Sequence, residues 1–286
     1  MVSDKKTWVK GSHEARVESF YGWGAENYGD FHKGYLNFGL WEEGVKNYEE
    51  AAENMVYQMA ELAGVNQDSH LLDVGCGMGT QDIYVLEKFK VKQIDALDVT
   101  WKHIEIARKR AETHKCSHQI HFHHESGIKL PFPNQHFTNV ISIEAAEHFN
   151  TRQTFLEEAF RVLKPGGGIS IGDFTLKQEP KTFMEKLVVE SARSLWKVPD
   201  DNVYSIEVYK ERLKRAGFEN VAAKEVGALT IPGYYYEQSR PEVKQAVGKI
   251  RGFVAGRLGF IIDIAVFQAF KKGLLEYVLM SARKPK

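Results

Sequence analysis

The sequence predicts an open α/β fold, a mostly parallel sheet with helices on both faces. Three observations carry this. Short apolar runs of strand length alternate with helical patterns from residue 69 to 174, and such alternation makes parallel strands joined by crossover helices. The first run, LLDV, breaks into a glycine turn, GCGMG, at 75–79. A second run, IDALDV, carries Asp98 near its end.

The elements follow in order. Residues 1–20 are polar and are expected to be loose or weakly helical. Residues 21–41, YGWGAENYGDFHKGYLNFGLW, crowd aromatics and glycines without period. They read as a folded flap, or more plainly as an irregular segment packed on the domain. KNYEEAAENMVYQMAELA, 46–63, places Ala52, Met55, Met59 and Leu62 on one helical face, and Gly64 closes it. A strand over 69–74 leads into the glycine turn and a helix over 79–89. The second strand ends near Val99, and the helix WKHIEIARKRAETH starts after Thr100. QIHFHH and FTNVISI are the third and fourth strands. TRQTFLEEAFRVL is a helix stopped by KPGGG, and GISIGDF is the fifth strand.

Beyond 175 the pattern changes. Helices are expected over 180–195 and 205–216, the second closed by Gly217, followed by a strand at ENVAAKEV. A helix over 239–256 carries Gly248, Gly252 and Gly256 on one face, which permits close packing of another helix. The apolar run 258–270 and a last strand in GLLEYVLMSARKP complete the chain.

Composition narrows the function. Lys plus Arg equals Asp plus Glu at 38 each, so no nucleic-acid backbone is expected as partner. Two cysteines, Cys76 and Cys116, build no disulfide framework or zinc cluster, which fits a reducing, cytoplasmic setting. The N-terminal stretch has no apolar core of a signal peptide. Residues 258–270 are too short to span a bilayer and include Asp263.

In a parallel sheet the ligand lies at the strand carboxyl ends, so the residues just after 74, 98, 125 and 143 come under suspicion. Gly75, Gly77 and Gly79 can take positive φ and let backbone approach a ligand. The turn suits a dinucleotide pyrophosphate, but its G-x-G-x-G spacing meets that fingerprint only in part. A tight strand-to-helix turn is the plain alternative. Asp98 lies about 20 residues past the turn, where an acid can accept both ribose hydroxyls. It could instead cap the next helix, a task Thr100 can also do.

LLDVGCGMGT, LDVT, LPFPNQHFTNVISIEAAEH and RVLKPGGGISIGDF, in that order, resemble the motifs of class I S-adenosylmethionine-dependent methyltransferases. The likeness covers most of 70–175. It implies a Rossmann-like, seven-stranded sheet whose last strand, near 274–283, runs antiparallel. It also implies S-adenosyl-L-methionine as cofactor and S-adenosyl-L-homocysteine as product. NYGDFHKGYLNFGLW and GLLEYVLMSARKP extend the likeness to a branch acting on sugars, amines, tocopherols, sterols and other lipid or natural products. SIEAAEHF is similar to a stretch of cyclopropane and mycolic-acid synthases, where a Glu helps hold bicarbonate; Glu147 and His148 match that pair, but the rest of the pattern is not matched.

The resemblance assigns roles. Gly75, Cys76 and Gly77 would line the methionine part of the cofactor, with Asp73 near its ammonium. Asp98 would hold the ribose and Val99 would pack on adenine. Either Ser126 or Glu125 would meet the adenine amine, since the family's acid falls at the Ser126 position. Trp101 covers adenine or packs in the core. Glu144 holds cofactor or orients the acceptor.

Methyl transfer from a sulfonium is an in-line displacement that needs alignment and exclusion of water. Glu144, Glu147 and His148 are the candidate catalytic groups after the fourth strand, with His148 able to serve as base near neutral pH. A helix-flanking hydrogen bond is the plain reading of His148. Histidines at 121 and 123 share one strand face and His124 the other, so they cannot converge on one ion, and no metal is expected. Tyr28, Tyr35, Asn37 and Trp41 of the lid, and Tyr234, Tyr235 and Tyr236, are the candidate substrate contacts, with Phe183, Trp196 and Phe253 completing an apolar cavity.

The chain is expected to divide into an N-terminal lid segment (1–45), a cofactor-binding core (46–175), a continuation with a helical, aromatic cap over the acceptor pocket (176–272), and a terminal antiparallel strand and tail (273–286). The expected activity is methyl transfer to oxygen or carbon of a small hydrophobic acceptor, a lipid or terpenoid-like natural product. An N-methyltransferase of a small amine and a non-catalytic binding module are the alternatives. A homo-oligomer could form through 239–272.

Overall fold

The computed structural model describes residues 5–25 and 31–286, with no side-chain description at 251, 253–255 and 258. Tyr28 lies outside the described residues, and so does the side chain of Phe253. The strands are β1 (His70–Val74), β2 (Gln93–Asp98), β3 (Ile120–His124), β4 (Phe137–Ile143), β5 (Leu163–Leu176), β6 (Glu219–Glu225) and β7 (Leu275–Arg283). They form one sheet in the order β3-β2-β1-β4-β5-β7-β6, and β7 runs antiparallel to both its neighbours. This is the Rossmann-like, seven-stranded, mostly parallel sheet with an antiparallel last strand.

The helices are α1 (His13–Gly22), α2 (Tyr48–Ala63), α3 (Thr80–Phe89), α4 (Trp101–Thr113), α5 (Arg152–Val162), α6 (Phe183–Leu195), α7 (Ile206–Arg215), α8 (Gly227–Ser239), α9 (Pro241–Arg251) and α10 (Phe253–Lys271). Strand side chains alternate between two cores. Leu71, Ile94 and Ile141 pack with Met55, Met59, Ile104 and Ala107 on one face. Leu72, Leu97 and Val140 pack with Phe155, Leu156 and Leu213 on the other. A sheet buried on both faces reads as continuous apolar runs, which is why β1, β2 and β4 are legible in the sequence.

Helix ends follow local chemistry. Asn47 caps α2 by accepting from Glu50 N, and Gly64 ends it in the left-handed region at φ 78°. The helix α5 stops at Val162, ahead of Pro165, because the residue before a proline is disfavoured in α conformation. The chain runs directly from there into β5, and KPGGG forms an irregular start of that strand, with Gly166 at φ 78° and the register to β4 shifting across it.

Three elements differ from expectation. Residues 227–239 form α8, which Pro232 and the glycines at 227 and 233 hide from a propensity reading. The glycine at 233 is required by packing, since a Cβ there would meet the Trp41 ring at 2.3 Å. The helix expected over 239–256 breaks at Gly252, φ 81°, and its tail belongs to α10 together with the apolar run. A Cβ on Gly256 would lie 3.2 Å from Gly248 Cα, so Gly256 serves the close packing of α10 on α9 within the chain, while a Cβ on Gly248 or Gly252 would meet nothing within 4 Å. Among the described residues no helix is long and apolar enough to cross a membrane.

Candidate active site

The order of the sheet reverses between β1 and β4, and a crevice opens at their carboxyl ends, as the topology requires. Gly75 and Ala145, which follow these two strands, define its floor. Gly75 has φ 93°, and a Cβ on it would sit 2.2 Å from the Ala145 Cβ. Only glycine lets the two turns approach so closely.

The crevice is a cavity of about 680 Å³, within the range of small-molecule sites. Gly75, Cys76 and Gly77 line it, together with Asp98, Val99, Glu125, Ser126 and Glu144. Asp98 Oδ2 accepts from Gly77 N at 3.0 Å and Oδ1 from Thr100 N at 2.7 Å. His103 Nδ1 lies 3.4 Å from the same carboxylate. Burial pushes Asp98 up, but His103 and the Thr100 hydrogen bonds outweigh it and hold the group below the usual range. It is therefore a carboxylate at neutral pH. Thr100 makes no side-chain cap; Glu18 of α1 instead accepts from Trp101 N at 3.3 Å.

Asp73 does not line the cavity. It is fully buried, and its Oδ2 accepts from Gln81 Nε2 at 2.5 Å. Burial raises it to about 7 against the opposing Gln81 bond, and burial beside it raises Asp82 as well. Gln81 does face the cavity, so any reach of Asp73 toward a ligand passes through that amide. Val99 is fixed by its carbonyl, which accepts from Trp8 Nε1 at 3.0 Å and from His124 Nε2 at 2.8 Å. Lys6 pairs with Glu125 and donates its backbone N–H to His124 Nδ1. The polar N-terminal residues thus strap across the ends of β2 and β3. Trp101 packs edge-on against His124 outside the cavity lining.

The other half of the cavity joins an apolar wall to charged side chains of the cap, Lys244, Lys249, Arg257 and Asp263. Phe20, Phe38, Trp196, Tyr234, Phe260 and Ile262 line it. Phe38 stacks on Tyr234 at 3.9 Å between centroids and meets Trp196 edge-on. Tyr35 and Asn37 also line the cavity. Trp41, Tyr235 and Tyr236 do not. Trp41 packs over Gly233 and donates its Nε1–H to Phe38 O at 3.0 Å. Tyr235 stacks on Phe267 at 4.1 Å, and Tyr236 is largely exposed. Phe183 is also on the surface, 79% exposed, and closes no cavity.

Glu144, Glu147 and His148 all line the cavity. Glu144 Oε1 accepts from Phe38 N at 2.7 Å and Tyr277 Oη at 2.9 Å, which ties the 34–38 segment and β7 to the end of β4. Burial raises Glu144 to about 8 against both hydrogen bonds. Glu147 is raised well above an ordinary glutamate by burial and by Asp173. Burial, then His13 and Arg152, lower His148 to about 3, so its ring is neutral at physiological pH. Its Nε2 lies 2.7 Å from the Tyr21 hydroxyl, and Tyr21 also lines the cavity.

A buried network holds this turn. Arg152 Nε lies 2.9 Å from Asp173 Oδ2, Tyr209 donates to the same oxygen at 2.9 Å, and Arg152 donates to Asn202 O. Asn202 Nδ2 donates to the carbonyls of Glu147 and Phe149. The sequence reading missed Tyr21, Gln81, His103, Arg152 and Asp173. Asp173, ending the fifth-strand run, carried a usable signal; Tyr21 lay in a segment without period.

Taken together, a glycine turn feeding a helix, an ionised acid closing β2 and a seven-stranded sheet with antiparallel β7 define a class I methyltransferase fold. Residues 71–167 match the family described as a methyltransferase domain. The chain is 37% identical over 196 residues to erythromycin 3''-O-methyltransferase of Saccharopolyspora erythraea, covering 67% of this chain and 64% of that protein. It is 29% identical over 253 residues to 27-O-demethylrifamycin SV methyltransferase of Amycolatopsis mediterranei, covering 87% and 90%. The cyclopropane synthase MmaA2 from Mycobacterium tuberculosis shares the fold with a TM-score of 0.80 at 17% identity, over 96% of this chain and 99% of that one. Residues 71–167 thus carry a methyltransferase domain, set in a class I S-adenosylmethionine-dependent methyltransferase fold. Geranyl diphosphate C-methyltransferase from Streptomyces coelicolor, of the same fold (TM-score 0.76, 14% identity over 97% of this chain and 100% of that one), was crystallised with S-adenosyl-L-homocysteine. The crevice fits it: Asp98 offers an ionised acceptor for a ribose, and the Gly75–Gly77 turn offers bare backbone beside it.

Proposed function

We propose that the protein methylates a hydroxyl oxygen on a hydrophobic natural product, with His148 and Tyr21 removing the proton. One observation carries this reading: the neutral His148 ring turns Nε2 to the Tyr21 hydroxyl at 2.7 Å, and both groups line the cavity. The naming of the erythromycin relative for O-methylation supports it. So does the apolar wall of Phe20, Phe38, Trp196 and Phe260, which suits the hydrophobic body of an acceptor, while Lys244, Lys249, Arg257 and Asp263 on the same lining suit polar groups at its edge.

Asp98 would hold the ribose hydroxyls, Val99 would pack on adenine, and Ser126 or Glu125 would meet the adenine amine. Glu125 is already engaged by Lys6, which favours Ser126. S-adenosylmethionine supplies the methyl group and leaves as S-adenosylhomocysteine. The acceptor oxygen forms the new bond to carbon, and its proton passes to the Tyr21 oxygen or directly to His148 Nε2. Tyr21, donating to His148, can hand on its own proton as it takes the acceptor's. The oxygen grows more acidic as its bond to the methyl carbon forms, so a neutral imidazole can take the proton during that step. Glu147 Oε1, 3.7 Å from His148 Nε2, can steady the ring. Segments 13–21 and 34–38 cover the crevice from one side and would exclude water during transfer.

The test is acceptor profiling with isotopically labelled S-adenosylmethionine across hydroxylated hydrophobic natural products, read by mass spectrometry. An O-methyl product that is lost in His148→Gln, with S-adenosylhomocysteine binding intact, supports the assignment. A C- or N-methyl product, or full turnover by His148→Gln, refutes it.

A further inference from the structure

On the sheet face away from α3 and α4, outside the crevice, three histidines gather around one carboxylate. His70 opens β1, Asp95 lies inside β2, His123 lies in β3, and His136 precedes β4. Asp95 is 6% exposed. Its Oδ2 is 2.7 Å from His70 Nε2, and its Oδ1 is 2.7 Å from His123 Nε2. The His136 ring meets the His70 ring at 4.8 Å between centroids. Ligand atoms of His70, Asp95 and His136 all lie within 4.8 Å of one another.

We infer that His70, Asp95 and His136 form a binding site for a divalent transition metal, zinc above all, that pins the β3–β4 connection to the sheet. Two imidazoles and a carboxylate are a donor set that zinc accepts, with remaining positions open to water. Metal bonds of about 2.0–2.2 Å place ligand atoms roughly 3.3 Å apart at a tetrahedral centre. The His70–Asp95 pair opens slightly to reach that spacing. The remaining closure falls on His136, whose side chain is only partly buried. Its backbone is anchored, since His136 N donates to Val162 O at 2.7 Å and Gln135 N to Arg161 O, so a rotation of the ring is the movement required. His123 stays on the far oxygen of Asp95 and orients the carboxylate, as outer-shell partners of metal ligands do.

The site bears on the enzyme through the chain that it fixes. The connection from 125 to 136 has Glu125, Ser126 and Gly127 on the cavity wall at one end and His136 at the other. A metal at His136 would hold that connection from the side opposite the crevice. This inference does not depend on which atom the enzyme methylates.

The full chain, stripped with chelator and saturated with S-adenosylhomocysteine to shield the crevice imidazoles, is titrated with zinc chloride by calorimetry and by thermal denaturation. One equivalent bound at micromolar zinc, with a rise in Tm, is expected. His136→Ala abolishes both, and His123→Ala weakens binding about 10- to 100-fold. Circular dichroism confirms that both variants fold; His136 and His123 are partly exposed, so neither empties the core. Visible bands of tetrahedral Co2+ in the wild type, absent in His136→Ala, give a second readout. No binding by the wild type at micromolar zinc, or equal binding by His136→Ala, overturns the inference.

Discussion

The hydroxyl of Tyr21 lies 2.7 Å from Nε2 of His148, across 127 residues of chain. The contact joins α1, a helix in a polar and unpatterned N-terminal stretch, to the turn after β4. If this pair removes the acceptor proton, His148→Gln lowers kcat by about 10²- to 10⁴-fold, and Tyr21→Phe lowers it less. S-adenosylhomocysteine affinity, read by calorimetry, stays unchanged in both. A matched loss of cofactor affinity would mean that the pair shapes the crevice instead.

Asp98 is held as a carboxylate by Gly77 N–H, Thr100 N–H and His103. Removing an ionised hydrogen-bond acceptor costs about 1.5–3 kcal/mol. Asp98→Ala should therefore weaken S-adenosylhomocysteine binding by about 10- to 100-fold, with the loss read directly in the calorimetric Kd.

Glu144 gives stability a pH dependence of defined sign. Its folded value, about 8, lies above the ordinary 4.5 because of burial. The folded state thus holds the proton more tightly than the unfolded chain. The stability it contributes is whole below about pH 4.5 and is lost as pH rises through about 8. Glu144→Gln should flatten the urea-unfolding free energy across that window. An unchanged slope would mean that Glu144 titrates normally in the folded state.

Arg152 and Asp173 are both fully buried and face each other at 2.9 Å. Removing one partner of a buried pair strands the other charge, at a cost of about 3–5 kcal/mol. Arg152→Met should lower the unfolding free energy by that order, and adding Asp173→Asn should recover part of it. Because Asn202 links this pair to the Glu147 and Phe149 carbonyls, turnover should fall in Arg152→Met even well below its Tm.

Gly75→Ala places a methyl 2.2 Å from Ala145 Cβ at φ 93°. Overpacking of this kind costs about 1–3 kcal/mol. The double variant Gly75→Ala with Ala145→Gly removes the clash and leaves the backbone strain, so its Tm should lie between those of the single variant and the wild type.

Sequence alone determined the sheet and the half of the crevice that local chain builds. β1, β2 and β4 are buried on both faces, so their apolar residues stand out even where Asp95, Asn139 and Ser142 interrupt them, and Gly75, Gly77, Asp98 and Glu144 sit at the ends of those runs. Tertiary structure decided everything that required two distant elements to meet. Tyr21 reached His148, Gln81 covered Asp73, and Trp41 and Tyr235 turned away from the cavity onto Gly233 and Phe267. No period or spacing encodes such contacts, because they depend on how helices dock. For the same reason His70, Asp95 and His136, spread over 67 residues of chain, became neighbours only when three parallel strands and a loop were laid side by side.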